Sequence, residues 1–115
     1  MADCIFCRIA AGEIPATIVA RTDHAVAFRD LNPQAPTHVL VIPVRHIGSM
    51  TETDSDEAER VIGQTVRLAV QAAKQMGLDE NGYRLVLNTG RDGSQSVFHI
   101  HVHLLGGRRL GWPPG

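Results

Sequence analysis

The chain lacks every long apolar run. Its most apolar stretch, Val39-Leu40-Val41-Ile42, is stopped by Pro43, far short of the roughly 20 residues that cross a bilayer. Met1-Ala2-Asp3-Cys4 carries no charged-then-apolar signal segment. A net charge of −1 provides no basic field for a nucleic-acid backbone. Neither a membrane nor a nucleic acid is therefore expected as a partner, and the expected compartment is the cytoplasm. Cysteine is scarce as well: Cys4 and Cys7 are the only two, and in that compartment they read as thiols or metal ligands rather than a disulfide. Internal repeats and low-complexity tracts are also missing. The 115 residues read as one domain, 1–115, large enough to bury about two thirds of its unfolded surface without staples.

What is present is a set of short elements. Asp3 is placed to cap a short helix carrying Ile5, Phe6 and Ile9 and ending near Gly12. Thr17–Arg21 and Ala25–Arg29 read as strands around a Thr22-Asp23 turn, and His38–Ile42 as a β-branched strand after the loop Asn32–Pro36. Asp54-Ser55-Asp56-Glu57 opens one long helix, acidic at its start as the helix dipole favours. Its apolar stripe runs through Ala58, Val61, Ile62, Thr65, Leu68, Ala69, Ala72, Ala73 and Met76 to a stop at Gly77. Tyr83–Asn88 reads as a strand returning antiparallel, through the loop Thr89–Ser96, into a last strand, which places Asn88 near the histidines that follow. The expected class is α+β: about five antiparallel strands, one long helix on a face and a short N-terminal helix.

That last strand holds the most informative residues. His99, His101 and His103 alternate with Ile100, Val102 and Leu104, the strand period, which sends the imidazoles to one face. Successive histidines on a strand lie roughly 6.6 Å apart, and the outer two about 13 Å. A metal ion with bonds of about 2.0–2.1 Å to nitrogen cannot span the row. At least one imidazole is thus expected to be free for nucleophilic or proton-carrying work near neutral pH. The preceding loop supplies Gly90, Gly93, Ser94, Gln95 and Ser96. Its backbone amides and polar side chains suit a charged oxygen beside an imidazole, the combination phosphoryl or nucleotidyl transfer requires. Cys4-x-x-Cys7 places two sulfurs one helical turn apart. Residue types alone leave three readings: free thiols, a redox pair, or half of a zinc site with His46 and His99 available as the other half.

Gln95-Ser96-Val97-Phe98-His99-Ile100-His101-Val102-His103-Leu104-Leu105-Gly106-Gly107-Arg108 closely resembles the signature of the histidine-triad (HIT) family, and Gly111-Trp112-Pro113-Pro114-Gly115 resembles the tail of its Hint branch, the adenosine phosphoramidases. Ile5–Ile9, Gly12–Pro15, Ala27–Asp30 and Pro36–Pro43 fit the same pattern, so the resemblance spans nearly the whole chain and implies the HIT-like fold. It also implies a purine nucleotide hydrolase that cleaves AMP or GMP from an amine or other leaving group with no catalytic metal. His101 would be the nucleophile, its other ring nitrogen held by a carbonyl of its own strand. His103 and Ser96 would flank the leaving group and phosphate, and His38 would orient the triad. The resemblance places the nucleoside in a slot of Phe6, Ile9, Ile14, Phe28, Leu31 and Leu40, with Asp30 on the ribose and Asn88, Ser94, Gln95 and Ser96 by the phosphate. It supports Cys4, Cys7, His46 and His99 as a structural zinc set. Ser94 stands where many Hint-like sequences have glycine, so a side chain there narrows the phosphate approach.

Two other readings compete with that one: a dinucleoside polyphosphate hydrolase, against which Gly106-Gly107-Arg108 and the Trp-Pro-Pro-Gly tail argue, and a purine-nucleotide-binding interaction protein whose hydrolysis is incidental. The stiff tail with its lone tryptophan is expected to dock on a surface rather than fray. The resemblance implies a homodimer built from the long helix and the Tyr83–Asn88 edge, in which Trp112 and Arg108 shape the leaving-group side of the partner's pocket.

Overall fold

The β-branched run ending at Pro43 is the middle of the sheet. A computed structural model describes residues 3–115, so Met1 and Ala2 of the N-terminal segment lie outside the described residues. The chain runs α1 (Ile5–Ala10), β1 (Ile18–Arg21), β2 (Ala25–Arg29), β3 (Thr37–Pro43), α2 (Asp56–Gln75), β4 (Tyr83–Val86) and β5 (Val102–Gly106). The strands form one sheet in the order β1-β2-β3-β5-β4, and every neighbouring pair is antiparallel. The α+β class with five antiparallel strands, one long helix and a short one is the architecture observed.

Alternation sorts the side chains of β2, β3 and β5 onto two faces. Ala25, Ala27, Val39, Val41, Val102 and Leu104 pack against Leu68, Ala69, Ala72 and Ala73 of α2. The opposite-facing Val26, Phe28, Leu40 and Ile42 pack against Phe6, Ile9 and Ala10 of α1. With both faces covered, β3 reads as continuous apolar sequence rather than a half-polar stripe. Its His38, in step with Leu40 and Ile42, belongs to the α1 face, as does His103, which sits opposite Leu40.

The long helix forms where its stripe and caps place it. Ser55 Oγ accepts from Ala58 N at 3.1 Å, Asp56, Glu57 and Glu59 occupy the first turn, and Gly77 leaves it with φ +76, a conformation glycine adopts without a Cβ clash. Several boundaries differ from the sequence expectation, β3 among them, which runs Thr37–Pro43 rather than His38–Ile42. The cap of α1 is Cys4, not Asp3: Cys4 Sγ accepts from Cys7 N at 3.3 Å. β1 begins at Ile18 rather than Thr17. β4 ends at Val86, so Leu87 and Asn88 lie outside the sheet. The histidine strand begins only at Val102; His99 and His101 precede it, because the His101 ring bonds back to the carbonyl two residues earlier and Ile100 N donates to Ile47 O rather than into the β3 ladder. Burial alternates only within β5; the four residues from His99 to Val102, its first residue, are all buried.

Candidate active site and metal cluster

Each histidine of the row has one ring nitrogen tied to a partner that decides where its proton sits. A carbonyl oxygen only accepts, so the nitrogen facing it carries the hydrogen and the other keeps its lone pair. His99 Nε2 donates to Pro43 O at 2.8 Å, which leaves the His99 Nδ1 lone pair free. His101 Nδ1 donates to His99 O at 2.8 Å, which leaves the lone pair on Nε2. His101 is 4% exposed and packs edge-on against Phe6 of α1, ring centroids 5.0 Å apart. A buried imidazole whose far nitrogen is tied to a carbonyl is the arrangement nucleophilic catalysis needs.

His38 is set from the other direction. The backbone N–H of Gln34 donates to His38 Nδ1 at 3.0 Å, so the ring proton is on Nε2, which donates to His103 Nδ1 at 2.9 Å. The proton of His103 is then on its own Nε2. Burial lowers His38 below the ordinary histidine range against an opposing pull from Asp30. Burial, with the neighbouring His101 and His38, pushes His103 down to about 4. Both rings are therefore neutral at pH 7, as the bonding pattern requires. Asp30 Oδ2 lies 3.4 Å from His38 Nε2, and Asp30, His38 and His103 bring possible ligand atoms within 4.8 Å of one another. This trio does not suit a metal, because His38 Nε2 must keep its proton while Nδ1 accepts from Gln34.

The cysteines meet the first histidine of the row. Cys4 Sγ lies 3.3 Å from His99 Nδ1, Cys7 Sγ lies 3.5 Å from the same atom and 3.3 Å from His46 Nδ1. All four ligand atoms fall within 4.8 Å of one another, close enough for one ion with bonds of about 2.0–2.3 Å. Two sulfurs and two imidazole nitrogens are a zinc-type donor set, and the Pro43 carbonyl on the far nitrogen of His99 is the kind of outer support that such ligands have. Burial and the adjacent Cys4 raise the Cys7 thiol, so the Cys7 sulfur holds its proton unless a cation faces it.

Beside the histidines, a cleft of about 210 Å³ is lined by Phe6, Ile9, Ile14, Phe28, Asp30, Leu31 and Leu40. All the residues expected for an apolar slot meet there, with Leu31, 98% exposed, at its lip. Ile5, Pro15, Ala16 and Thr17 also line it; their place next to expected lining residues was the only signal in sequence. Other expected site residues are arranged differently. Gln95 is buried, and its amide is consumed internally: Nε2 donates to Gly48 O at 2.7 Å and Val97 O at 3.1 Å, while Oε1 accepts from Gly90 N at 3.0 Å. It ties three loop segments together instead of offering a spare donor to a phosphate. Ser94 and Ser96 are exposed and Asn88 half-buried. Trp112 is 83% exposed and is not among the residues lining the cleft of its own chain. Arg108 reaches Gln34 O at 3.0 Å within its own chain. The groups that sequence reasoning missed, Pro43 O and Gln34 N, are backbone atoms and leave no mark in residue identity.

Comparisons with known proteins agree with this geometry. Residues 11–110 match the family model of the HIT domain. The chain is 50% identical over 107 residues to the purine nucleoside phosphoramidase of Escherichia coli, a match covering 93% of this chain and 89% of that one. It is 50% identical over 112 residues to the 14 kDa zinc-binding protein of Zea mays, covering 96% and 87%. The solved structure of a HIT family hydrolase from Legionella pneumophila superposes with a TM-score of 0.93 at 49% identity, covering 98% of this chain and 100% of that one.

Proposed function

This chain belongs to the HIT-domain family, and we propose that it is a purine nucleotide hydrolase that releases AMP or GMP from an amine through a nucleotidyl-histidine intermediate. The observation that carries this reading is the free Nε2 lone pair of His101, fixed by the Nδ1 bond to His99 O. In the proposed reaction His101 Nε2 attacks the α-phosphorus and the phosphorus–nitrogen bond breaks. The departing amine leaves with a proton taken from solvent, its nitrogen or the phosphate oxygens accepting a hydrogen bond from His103 Nε2. Water then attacks the nucleotidyl-imidazole and returns a proton to solvent, and the phosphorus–His101 bond breaks to free the nucleoside monophosphate. Tautomers agree with these assignments, since the proton of His103 lies on Nε2 only while Nδ1 accepts from His38. The relative named for phosphoramidase activity supports the same bond type.

The base is assigned to the cleft between α1 and the sheet, where Phe6, Phe28 and Leu40 offer a flat apolar contact. Asp30 lines that cleft and accepts from the ribose hydroxyls; Ser96 and the amides of its loop face the phosphate. Cys4, Cys7, His46 and His99 would hold a structural zinc, whose charge stabilises the two thiolates and whose closed donor set leaves no open position for substrate. That assignment is supported by the mutual approach of the four ligand atoms and by a relative named for zinc binding.

A homodimer fits the exposed Trp112 and the unpaired outer edge of β4, which a second copy would cover. Light scattering at micromolar concentration is expected to give twice the chain mass, and a monomer refutes the dimer. Removing residues 111–115 is expected to alter leaving-group preference more than assembly. Side-by-side turnover of an AMP phosphoramidate and a diadenosine polyphosphate tests the activity itself. The phosphoramidate is expected to be cleaved faster; preferential cleavage of the diadenosine compound, or turnover of neither, overturns the reading.

A further inference from the structure

The loop between β2 and β3 is held by bonds that converge on His38. Asn32 N donates to Asp30 Oδ1 at 2.8 Å, Gln34 Nε2 donates to Asn32 O at 3.0 Å, and Asp30 N donates to His38 O at 3.0 Å. Within this loop Gln34 is gripped on both sides. Its N–H donates to His38 Nδ1 at 3.0 Å, and its carbonyl accepts from Arg108 Nη2 at 3.0 Å. Arg108 stands two residues beyond β5, the strand that carries His103.

The geometry of the intervening turn makes that reach short. Gly107 has φ +90, and a Cβ built on it would lie 2.8 Å from Pro36 Cβ, so the chain leaving β5 passes directly against the loop. A second bond, Arg108 Nη1 to Arg109 O at 3.2 Å, keeps the guanidinium folded over the turn. The strand that presents His103 therefore also fastens, through its own end, the loop that fixes the tautomer of the partner of His103.

We propose that Arg108 is a positioning residue for the His38–His103 pair: by holding the Gln34 carbonyl it keeps the Gln34 N–H on His38 Nδ1, and so keeps the His38 proton on Nε2, directed at His103. This rests on the functional reading above only for its kinetic consequence; the tautomer consequence stands without it. Free of that N–H, His38 Nδ1 is open to carry the ring proton itself, which takes that proton out of the bond to His103 Nδ1. His103 then loses its donor and is no longer confined to the Nε2–H form. The role differs from shaping a partner's pocket, since the contact lies wholly within one chain.

The test uses the full chain with Arg108→Met, which keeps bulk but donates nothing, and Arg108→Lys, which keeps one cationic donor. Side-chain ¹⁵N shifts of His38 and His103, read without substrate at one pH, report the tautomers directly. The expected result for Arg108→Met is a His38 signal moved from a single Nε2–H form toward a mixture, with faster hydrogen exchange at the Gln34 amide. Turnover of an AMP phosphoramidate is expected to fall about three- to tenfold in kcat with KM little changed, the size of one lost hydrogen bond. Arg108→Lys is expected to recover part of each effect. Native tautomer signals in Arg108→Met overturn the proposal, even if turnover drops, for then Arg108 acts on something other than His38. Should Arg108→Met fail to fold, the same spectra of Arg108→Lys decide: an intermediate mixture supports the role, and no change from native overturns it. A chain that turns over no AMP phosphoramidate but shows the tautomer shift refutes the functional reading and leaves this one standing.

Discussion

His99 and His101 are two residues apart in the same row, both buried to within 4% of full cover, yet they face opposite chemistries. The bond from His99 Nε2 to Pro43 O turns the Nδ1 lone pair toward Cys4 and Cys7. The bond from His101 Nδ1 to His99 O leaves Nε2 open instead. The same side chain is thus a ligand-type group in one place and a nucleophile-type group in the other, and the difference lies in which backbone carbonyl it meets. His99 joins the two regions, since its ring serves the cysteines and its carbonyl sets His101. Phe6 joins them again: it lies between Cys4 and Cys7 in sequence and packs on both imidazoles, with centroids 6.0 Å from His99 and 5.0 Å from His101.

The sharpest way to break this contrast is to remove each histidine's task separately. His101→Ala is expected to lose turnover by several orders of magnitude while keeping the fold and nucleotide binding, as when a nucleophile is deleted. Mass spectrometry of the native chain quenched during turnover should find a nucleotidyl adduct on His101. Near-normal turnover in His101→Ala would remove it from the nucleophile's role. The cysteine side should fail differently. Protein purified without added metal is expected to hold about one zinc per chain, and Cys4→Ser to lose most of it together with several degrees of thermal stability, because metal binding to a folded site is folding free energy. A metal-free native chain whose melting point ignores a chelator would rule the zinc out. Loss of metal in His101→Ala would show that the two regions are not separable in the way their tautomers imply.

Much of the fold was legible because burial imposes a period on the sequence. α2 was readable from its stripe, since Leu68, Ala69, Ala72 and Ala73 must all reach one sheet face, and its start and stop carry their own chemistry in Ser55 and Gly77. The cleft residues and the Cys4–Cys7–His46–His99 group came together where expected, though it was the family resemblance that singled them out from ordinary core. What could not be read was set by backbone atoms or by bonds between distant loops. Alternation made the whole histidine row look like strand; the His101–His99 bond ends the ladder at Val102. Tyr83, Leu85 and Leu87 alternate in the same way, but β4 stops at Val86 opposite His103, one residue short of the end of its partner strand at Val102. Gln95 looked like a phosphate donor by position and is instead the buried tie between Gly48, Gly90 and Val97.

A smaller effect separates the regions by pH. His103 is depressed to about 4 by burial first and by neighbouring imidazoles second, whereas an unfolded histidine titrates near about 6.5. Between these values the unfolded chain binds more protons than the folded one, so stability rises with pH through this window. The contribution is complete above about pH 6.5 and is lost progressively as the pH falls toward 4. His38, lowered by burial, adds in the same direction. Urea unfolding of the native chain and of His103→Asn, both loaded with metal, should show a steeper acid loss in the native chain. Equal slopes would mean that the His38–His103 pair does not stay neutral as its bonds require.

The smallest expected effect concerns the loop that carries Gln95. Ser94 has φ +62 and, among the described residues, is the one position other than glycine with a positive φ. Its Cβ makes that conformation unfavourable by about 1 kcal/mol or somewhat more. The loop holds it there by Ser94 N to Arg91 O at 3.0 Å and by the bonds of the neighbouring Gln95 to Gly90. Ser94→Gly relieves the backbone but gives the unfolded chain more freedom, which takes back part of the gain. The net expectation is about 0.5 kcal/mol of added stability and a melting point higher by about 2–3 °C. Ser94→Ala separates backbone from hydroxyl, because alanine keeps the Cβ and should show no gain. If alanine stabilises as much as glycine, the serine hydroxyl, not the left-handed backbone, is what the loop tolerates at a cost. If glycine gains stability and also raises turnover of bulky phosphoramidates, the side chain at 94 is narrowing the approach to the phosphate as well as straining the turn.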